Sequence, residues 1–147
     1  MSVLTLAVVM ALFGGVAVAL QGPLSSLVGS KVGAIGSGFI LHASGALIAG
    51  ALVLITGWRS LAGWTQIPWY ALVGTGATGV IVIAAFSISV PRIGMTATAS
   101  LIIASQMLVA AVLDQFAVLG LAQRPITSLR AVGIALLFAG AWLVLQY

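Results

Sequence analysis

Three side chains in this 147-residue sequence are polar yet lie deep inside apolar segments: Gln21, His42 and Gln106. Ser105 stands directly beside Gln106. Amides, hydroxyls and imidazole give and take neutral hydrogen bonds, and imidazole is the side-chain type most suited to exchanging a proton near neutral pH. The chemistry such a set can do is recognition of a small solute. Covalent catalysis lacks its parts: the chain has one acidic residue (Asp114), one His and no Cys. Paired-carboxylate catalysis, thiolate metal sites and disulfides are therefore excluded within one chain. A Ser-His-Asp triad fails on geometry, because His42 and Asp114 differ in depth by roughly 16 Å at 1.5 Å rise per residue. The expectation is a protein that is not an enzyme and uses no cofactor or metal.

The elements that must position these groups follow from composition. Of the residues, 63% are hydrophobic, and six are charged: Lys31, Arg59, Arg92, Asp114, Arg124 and Arg130. A soluble domain spends about a quarter of its residues on charge. So few charges cannot coat a globule in water, and the chain reads as an integral membrane protein. The five basic residues are scattered and make no nucleic-acid patch. A hydrocarbon core of ~30 Å takes about 20 apolar residues per helix. Five such runs are present, at residues 3–28, 34–56, 67–89, 95–119 and 127–146. The expected fold is all-α: a single membrane domain spanning residues 1–147, a bundle of five transmembrane helices. Pro68 opens the third run, and Pro91 and Pro125 shortly precede the fourth and fifth, where a missing N–H costs nothing at a helix start. Ala17-Val18-Ala19 looks like a signal-peptide cleavage site, but no Lys or Arg precedes it and the apolar run continues, so it is read as helix. Trp58, Trp64, Trp69 and Tyr70, with Trp142 and Tyr147 at the far end, read as interfacial anchors.

Counting along these runs puts Gln21, His42 and Gln106 at roughly 10–17 Å from the same membrane face, close to the midplane. Polar groups in hydrocarbon must face protein or a cavity, and they are functional candidates by default. Gly38, His42, Gly45 and Ala49 form one stripe of the second run, the mark of a close-packed face or a cavity wall. Thr96, Ala99, Ile103, Gln106 and Ala110 form a stripe on the fourth. Gly22-Pro23 follows Gln21, and a proline there withdraws a helical N–H and crowds the carbonyl of Ala19, so a broken helix exposing backbone to a substrate is expected at this point.

Charge placement carries two further expectations. Asp114 lies five residues before the end of the fourth run and Arg130 three or four residues into the fifth. On an antiparallel hairpin they share a depth, so they are expected to form an ion pair. Counting spans, one membrane face receives Arg59, Arg124 and Arg130 and the other receives Lys31 and Arg92. Orientation follows the Lys/Arg bias between faces, and here the bias is nearly nil. The chain is thus expected to insert both ways and to form an antiparallel dimer, the inverted-repeat plan of many transporters made from separate chains. Gly133 and Gly140, two turns apart on one face of the last helix, are the expected dimer contact.

The segments PWYALVGTGATGVIVIAAF, VPRIGMTATASLIIASQMLVAAVLDQF and ITSLRAVGIALLFAGAWLV resemble the YdcZ-type family of the drug/metabolite transporter superfamily. The most specific part is Ala104-Ser105-Gln106 with Leu113-Asp114, followed by Arg130 and Gly133. The resemblance is clear over residues 67–147 and loose over the first two runs. It implies a bacterial inner-membrane protein with five spans, occurring as dual-topology single proteins, opposed pairs or fused ten-span chains. The later helices are also similar to the small multidrug resistance proteins, whose last helix dimerises through a comparable glycine heptad. Those proteins use a membrane-embedded Glu for proton-coupled cation export. This sequence has none, and Gln21 lies near the corresponding region.

The expected function is a transporter subunit in which Gln21, His42, Ser105 and Gln106 from two copies, or from this chain and a paired homologue, surround a midplane site. A neutral or anionic solute suits amides and hydroxyls under a +4 chain. A passive channel needs a continuous polar path instead, and a membrane assembly partner would carry no flux. Dual insertion has a direct check. A single cysteine at Gly63, between the second and third runs, should react with an impermeant thiol reagent from both faces of the membrane. Labelling from one face only refutes it.

Overall fold

The computed structural model describes residues 3–146; the anchor expected at Tyr147 lies outside them. Three helical stretches carry the described chain: α1 (Val3–Thr56), α2 (Trp69–Phe116) and α3 (Ser128–Val144). No strand occurs among the described residues.

A straight α1 of 54 residues would measure about 80 Å, far more than a hydrocarbon core of about 30 Å. It is not straight. Gly33 leaves the helical region, with φ +77° and ψ 169°, and the chain doubles back there. The proof is a hydrogen bond. Ser37 Oγ donates to the carbonyl of Ser25 at 3.0 Å, although twelve residues of straight helix would hold these groups about 18 Å apart. Residues 3–32 and 34–56 are therefore two limbs of a helical hairpin whose turn is a single glycine. Positive φ at Gly33 explains the residue type, because a Cβ is strained there. Gly94 repeats this conformation inside α2, with φ +78° and ψ 165°.

The first and third connections expected from the sequence are thus reduced to one glycine each. Two prolines also behave differently from expectation. Pro23 sits inside α1, whose only departure from helical φ/ψ is at Gly33. Pro91 lies inside α2, three residues before Gly94, instead of opening a new helix. Pro68 does mark a start, its carbonyl accepting from the N–H groups of Ala71 and Leu72.

The chain divides into two compact units, Met1–Pro91 and Arg92–Tyr147. In the first, the α1 hairpin packs on residues 69–91 of α2. Buried serines tie the three segments. Ser87 Oγ donates to the same Ser25 carbonyl at 2.9 Å, and Ser25 Oγ donates to the Gln21 carbonyl at 2.7 Å. Ser25, Ser37 and Ser87 are all buried, beside Ile83 and Phe86. Inside hydrocarbon a helix gains little from burying apolar surface. Close packing of small residues and interhelical hydrogen bonds, at about 0.6 kcal/mol each, hold the contact instead. Gly29 faces Ser87 so closely that a Cβ would fall 2.7 Å from the serine Cβ, and one at Gly38 would fall 3.2 Å from Val80 Cγ1.

In the second unit, residues 92–116 of α2 are joined to α3 by a tied connection. Ile126 N–H donates to Gln115 Oε1 at 2.7 Å, and Gln123 Nε2 donates to the Gln115 carbonyl at 3.1 Å. Thr127 caps α3, its Oγ1 accepting from Arg130 N–H at 3.3 Å. Around both units the large apolar side chains point outward, among them Leu12, Phe13, Leu24, Phe39 and Leu136. That is the surface lipid requires. Trp58, Trp64 and Trp69 are exposed near the second connection, as interfacial anchors should be.

Gly29→Ala should lower stability in a mild-detergent unfolding titration by about 1–3 kcal/mol, the usual cost of overpacking. Adding Ser87→Gly should recover part of the loss. Gly14→Ala, where a Cβ meets nothing within 4 Å, should be neutral or stabilising. Equal effects of the two alanines would contradict the close contact at Gly29.

Candidate functional site

Gln21 projects from the first limb of α1 into a groove of about 590 Å³ between the limbs. Leu20, Leu24, Ile40, Leu41 and Ser44 share its lining. Gln21 is half-buried, and its side-chain amide has no hydrogen-bond partner among the described residues. Ser44 was not singled out by sequence, yet it supplies the groove's second polar group. Its spacing of three and four residues from Leu41 and Ile40 puts all three on one helical face, a signal visible only once the groove is known.

His42 belongs to the other flank of the same limb. Its Nδ1 lies 2.7 Å from the Gly38 carbonyl. A carbonyl only accepts, so Nδ1 carries the proton in the neutral ring and Nε2 keeps the lone pair. Nε2 rests over Gly79 of α2, where any Cβ would collide with it. The stripe of Gly38 and His42 is thus a close-packed seam against Val80 and Gly79. The structure does not bring Gln21 and His42 into one cavity within the chain, since the groove takes Ile40, Leu41 and Ser44 and the seam takes Gly38 and His42.

Ser105 and Gln106 lie in the second unit, on an exposed face of α2. With Val109, Ala110 and Leu113 they border an open depression of about 460 Å³. Ser105 Oγ donates to the Ile102 carbonyl at 2.9 Å. The Gln106 amide has no partner among the described residues, and one helix alone lines the depression.

Asp114 and Arg130 meet. Arg130 Nη2 lies 3.0 Å from Asp114 Oδ2. Around this pair, Arg130 Nη1 donates to the Arg124 carbonyl at 3.3 Å and Arg124 N–H donates to the Asp114 carbonyl at 2.9 Å. The same two residues thereby fasten the connection to both helix ends it joins. A cavity of about 290 Å³ beside the pair is lined by Met107, Ala110, Gly133 and Ile134, among others. Beside Gly133 and Gly140 a Cβ would meet nothing within 4 Å, so the glycine face of α3 is open at both positions.

Long apolar helices with exposed apolar surfaces and a few unpartnered amides are those of an α-helical membrane protein. Residues 6–143 match the family described as "Putative inner membrane exporter, YdcZ", and the chain belongs to that family of membrane transporters. No curated protein and no solved structure matched it.

The ion pair is partly exposed, with 41% of the Arg130 side chain and 27% of the Asp114 side chain accessible. Its coupling energy is therefore modest. A double-mutant cycle of Arg130→Ala and Asp114→Asn should give up to about 1 kcal/mol, as for exposed pairs generally. Arg130→Ala should destabilise about as much as Asp114→Asn. An intact Arg130→Ala beside a severely damaged Asp114→Asn would sink a structural role for the pair.

Proposed function

We propose that this protein is an exporter subunit of the bacterial inner membrane that works as an antiparallel dimer. It moves a small neutral or anionic solute by alternating access at a midplane site. The observation that carries this reading is the pair of unpartnered amides. Gln21 and Gln106 both stand at open surfaces of a single chain, and hydrocarbon leaves no water to satisfy them. A second copy and a solute satisfy both. Five spans, made of the two limbs of α1, the two parts of α2 on either side of Gly94, and α3, give opposite faces to the two ends of the chain.

Three features support the antiparallel arrangement: the nearly even division of basic residues between faces, the open glycine face of α3, and family membership. In the dimer, Gln21, Ser105 and Gln106 of each copy supply hydrogen bonds to the solute. His42, packed on Gly79, borders the site from the seam with α2. Export direction follows the family description.

The test is counterflow in liposomes with a panel of labelled neutral and anionic solutes. Saturable flux is expected, and Gln106→Ala should abolish it in a protein that still elutes as a dimer. Undiminished flux in that variant removes Gln106 from the site. Unitary currents in a planar bilayer would mark a continuous pore in place of alternating access.

A further inference from the structure

The two glycine turns are not independent. Residues 33–52 and 94–113 align without a gap at a spacing of sixty-one residues. Gly33/Gly94, Ala43/Ala104, Ser44/Ser105, Leu47/Leu108, Ala49/Ala110 and Leu52/Leu113 are identical. Lys31-Val32 precedes the first glycine and Arg92-Ile93 the second. The glycine dihedrals agree within a few degrees. Burial repeats as well: Ser25 and Phe86 are buried, and so are Ser37 and Thr98, each pair separated by the same sixty-one residues. Within each repeat the serine takes the same local bond. Ser44 Oγ donates to the Leu41 carbonyl at 3.0 Å, and Ser105 Oγ donates to the Ile102 carbonyl at 2.9 Å. Each serine stands eleven residues beyond its glycine, roughly 16 Å along its helix and half-way through a core of about 30 Å.

We infer that the chain contains a duplicated helix–glycine–helix unit, and that Ser44 is a solute-contacting residue equivalent to Ser105. Each serine shares its lining with one amide to make a hydroxyl–amide station, Ser44 with Gln21 and Ser105 with Gln106; the serines are equivalent in the repeat, whereas Gln21 aligns with Val82 and Gln106 with Gly45. Neither lining includes an ionised side chain. An ion in so apolar a setting needs a counter-charge, so the stations suit an uncharged solute bearing several hydroxyl or amide groups. This inference rests on the transport site proposed above and narrows its substrate class to uncharged compounds.

The absence of native cysteine makes the test direct. Ser44→Cys and Ser105→Cys are nearly isosteric changes at exposed positions, so folding is not at stake. Each variant in liposomes is treated with an uncharged hydroxyethyl thiosulfonate and, separately, with its trimethylammonium analogue. Phe39→Cys, on an exposed apolar part of α1, is the lipid-facing reference. Both serine variants should react with the uncharged reagent at rates within a factor of about three of each other and at least tenfold faster than Phe39→Cys. The cationic reagent should be slower at both. Reaction at Ser105→Cys with none at Ser44→Cys overturns the equivalence alone. No reaction at Ser105→Cys overturns the midplane site itself and this inference with it. Equal rates for the two reagents overturn the assignment to uncharged solutes.

Discussion

The structure depends on one constraint: in hydrocarbon, backbone N–H and C=O groups must find partners within the protein. An ordinary loop at the edge of the hydrocarbon would expose several of them. The α1 hairpin avoids the difficulty by turning at Gly33 alone, so that helical hydrogen bonding runs up to the turn and resumes directly after it. The turn then brings the two limbs close enough for Ser37 to reach the Ser25 carbonyl. The same carbonyl accepts from Ser87, so one oxygen of the first limb organises three segments. Glycines at 29, 38 and 79 permit that approach, since a Cβ at any of them would press on Ser87, Val80 or His42.

What the constraint leaves unsatisfied points to function. The buried hydroxyls of Ser25, Ser37 and Ser87 are bonded within the chain, yet the amides of Gln21 and Gln106 are not. The charged pair of Asp114 and Arg130 solves a different problem, tying the connection before α3 at its two ends. Charge is thus used for anchoring near one end of the helices, while neutral amides and hydroxyls stand half-way along them. That division agrees with membership of a transporter family and with recognition through uncharged groups.

Much of this was legible in the sequence. Apolar runs and six charges announced a helical membrane protein, and depth counting placed Asp114 opposite Arg130. The stripe of Gly38, His42, Gly45 and Ala49 was readable as either a packed face or a cavity wall; Gly38 and His42 pack against Val80 and Gly79, while a Cβ at Gly45 would meet nothing within 4 Å. The face of Gln21 was not readable, because the rotation of one limb against the other is set by side-chain contacts such as Ser25 with Ser37. Nor could the turns be located by type alone. Gly33 is one of 18 glycines, and Gly36 and Gly38 stand within five residues of it; only a positive φ sets it apart. The prolines misled for a related reason. Pro91 reads as a helix start, yet it stands near the end of its limb, and a proline inside a membrane helix is tolerated where neighbouring groups compensate its missing N–H.

The central claim is that two copies in opposite orientation complete the site. The most direct measurement is a spin–spin distance between nitroxides attached at Gly63→Cys, in the connection between α1 and α2, for protein in bilayers. An antiparallel dimer puts the two labels on opposite faces, so distances of about 40 Å or more, the full thickness of the membrane, are expected. A population centred well below about 30 Å, or no dipolar coupling at all, would contradict the account.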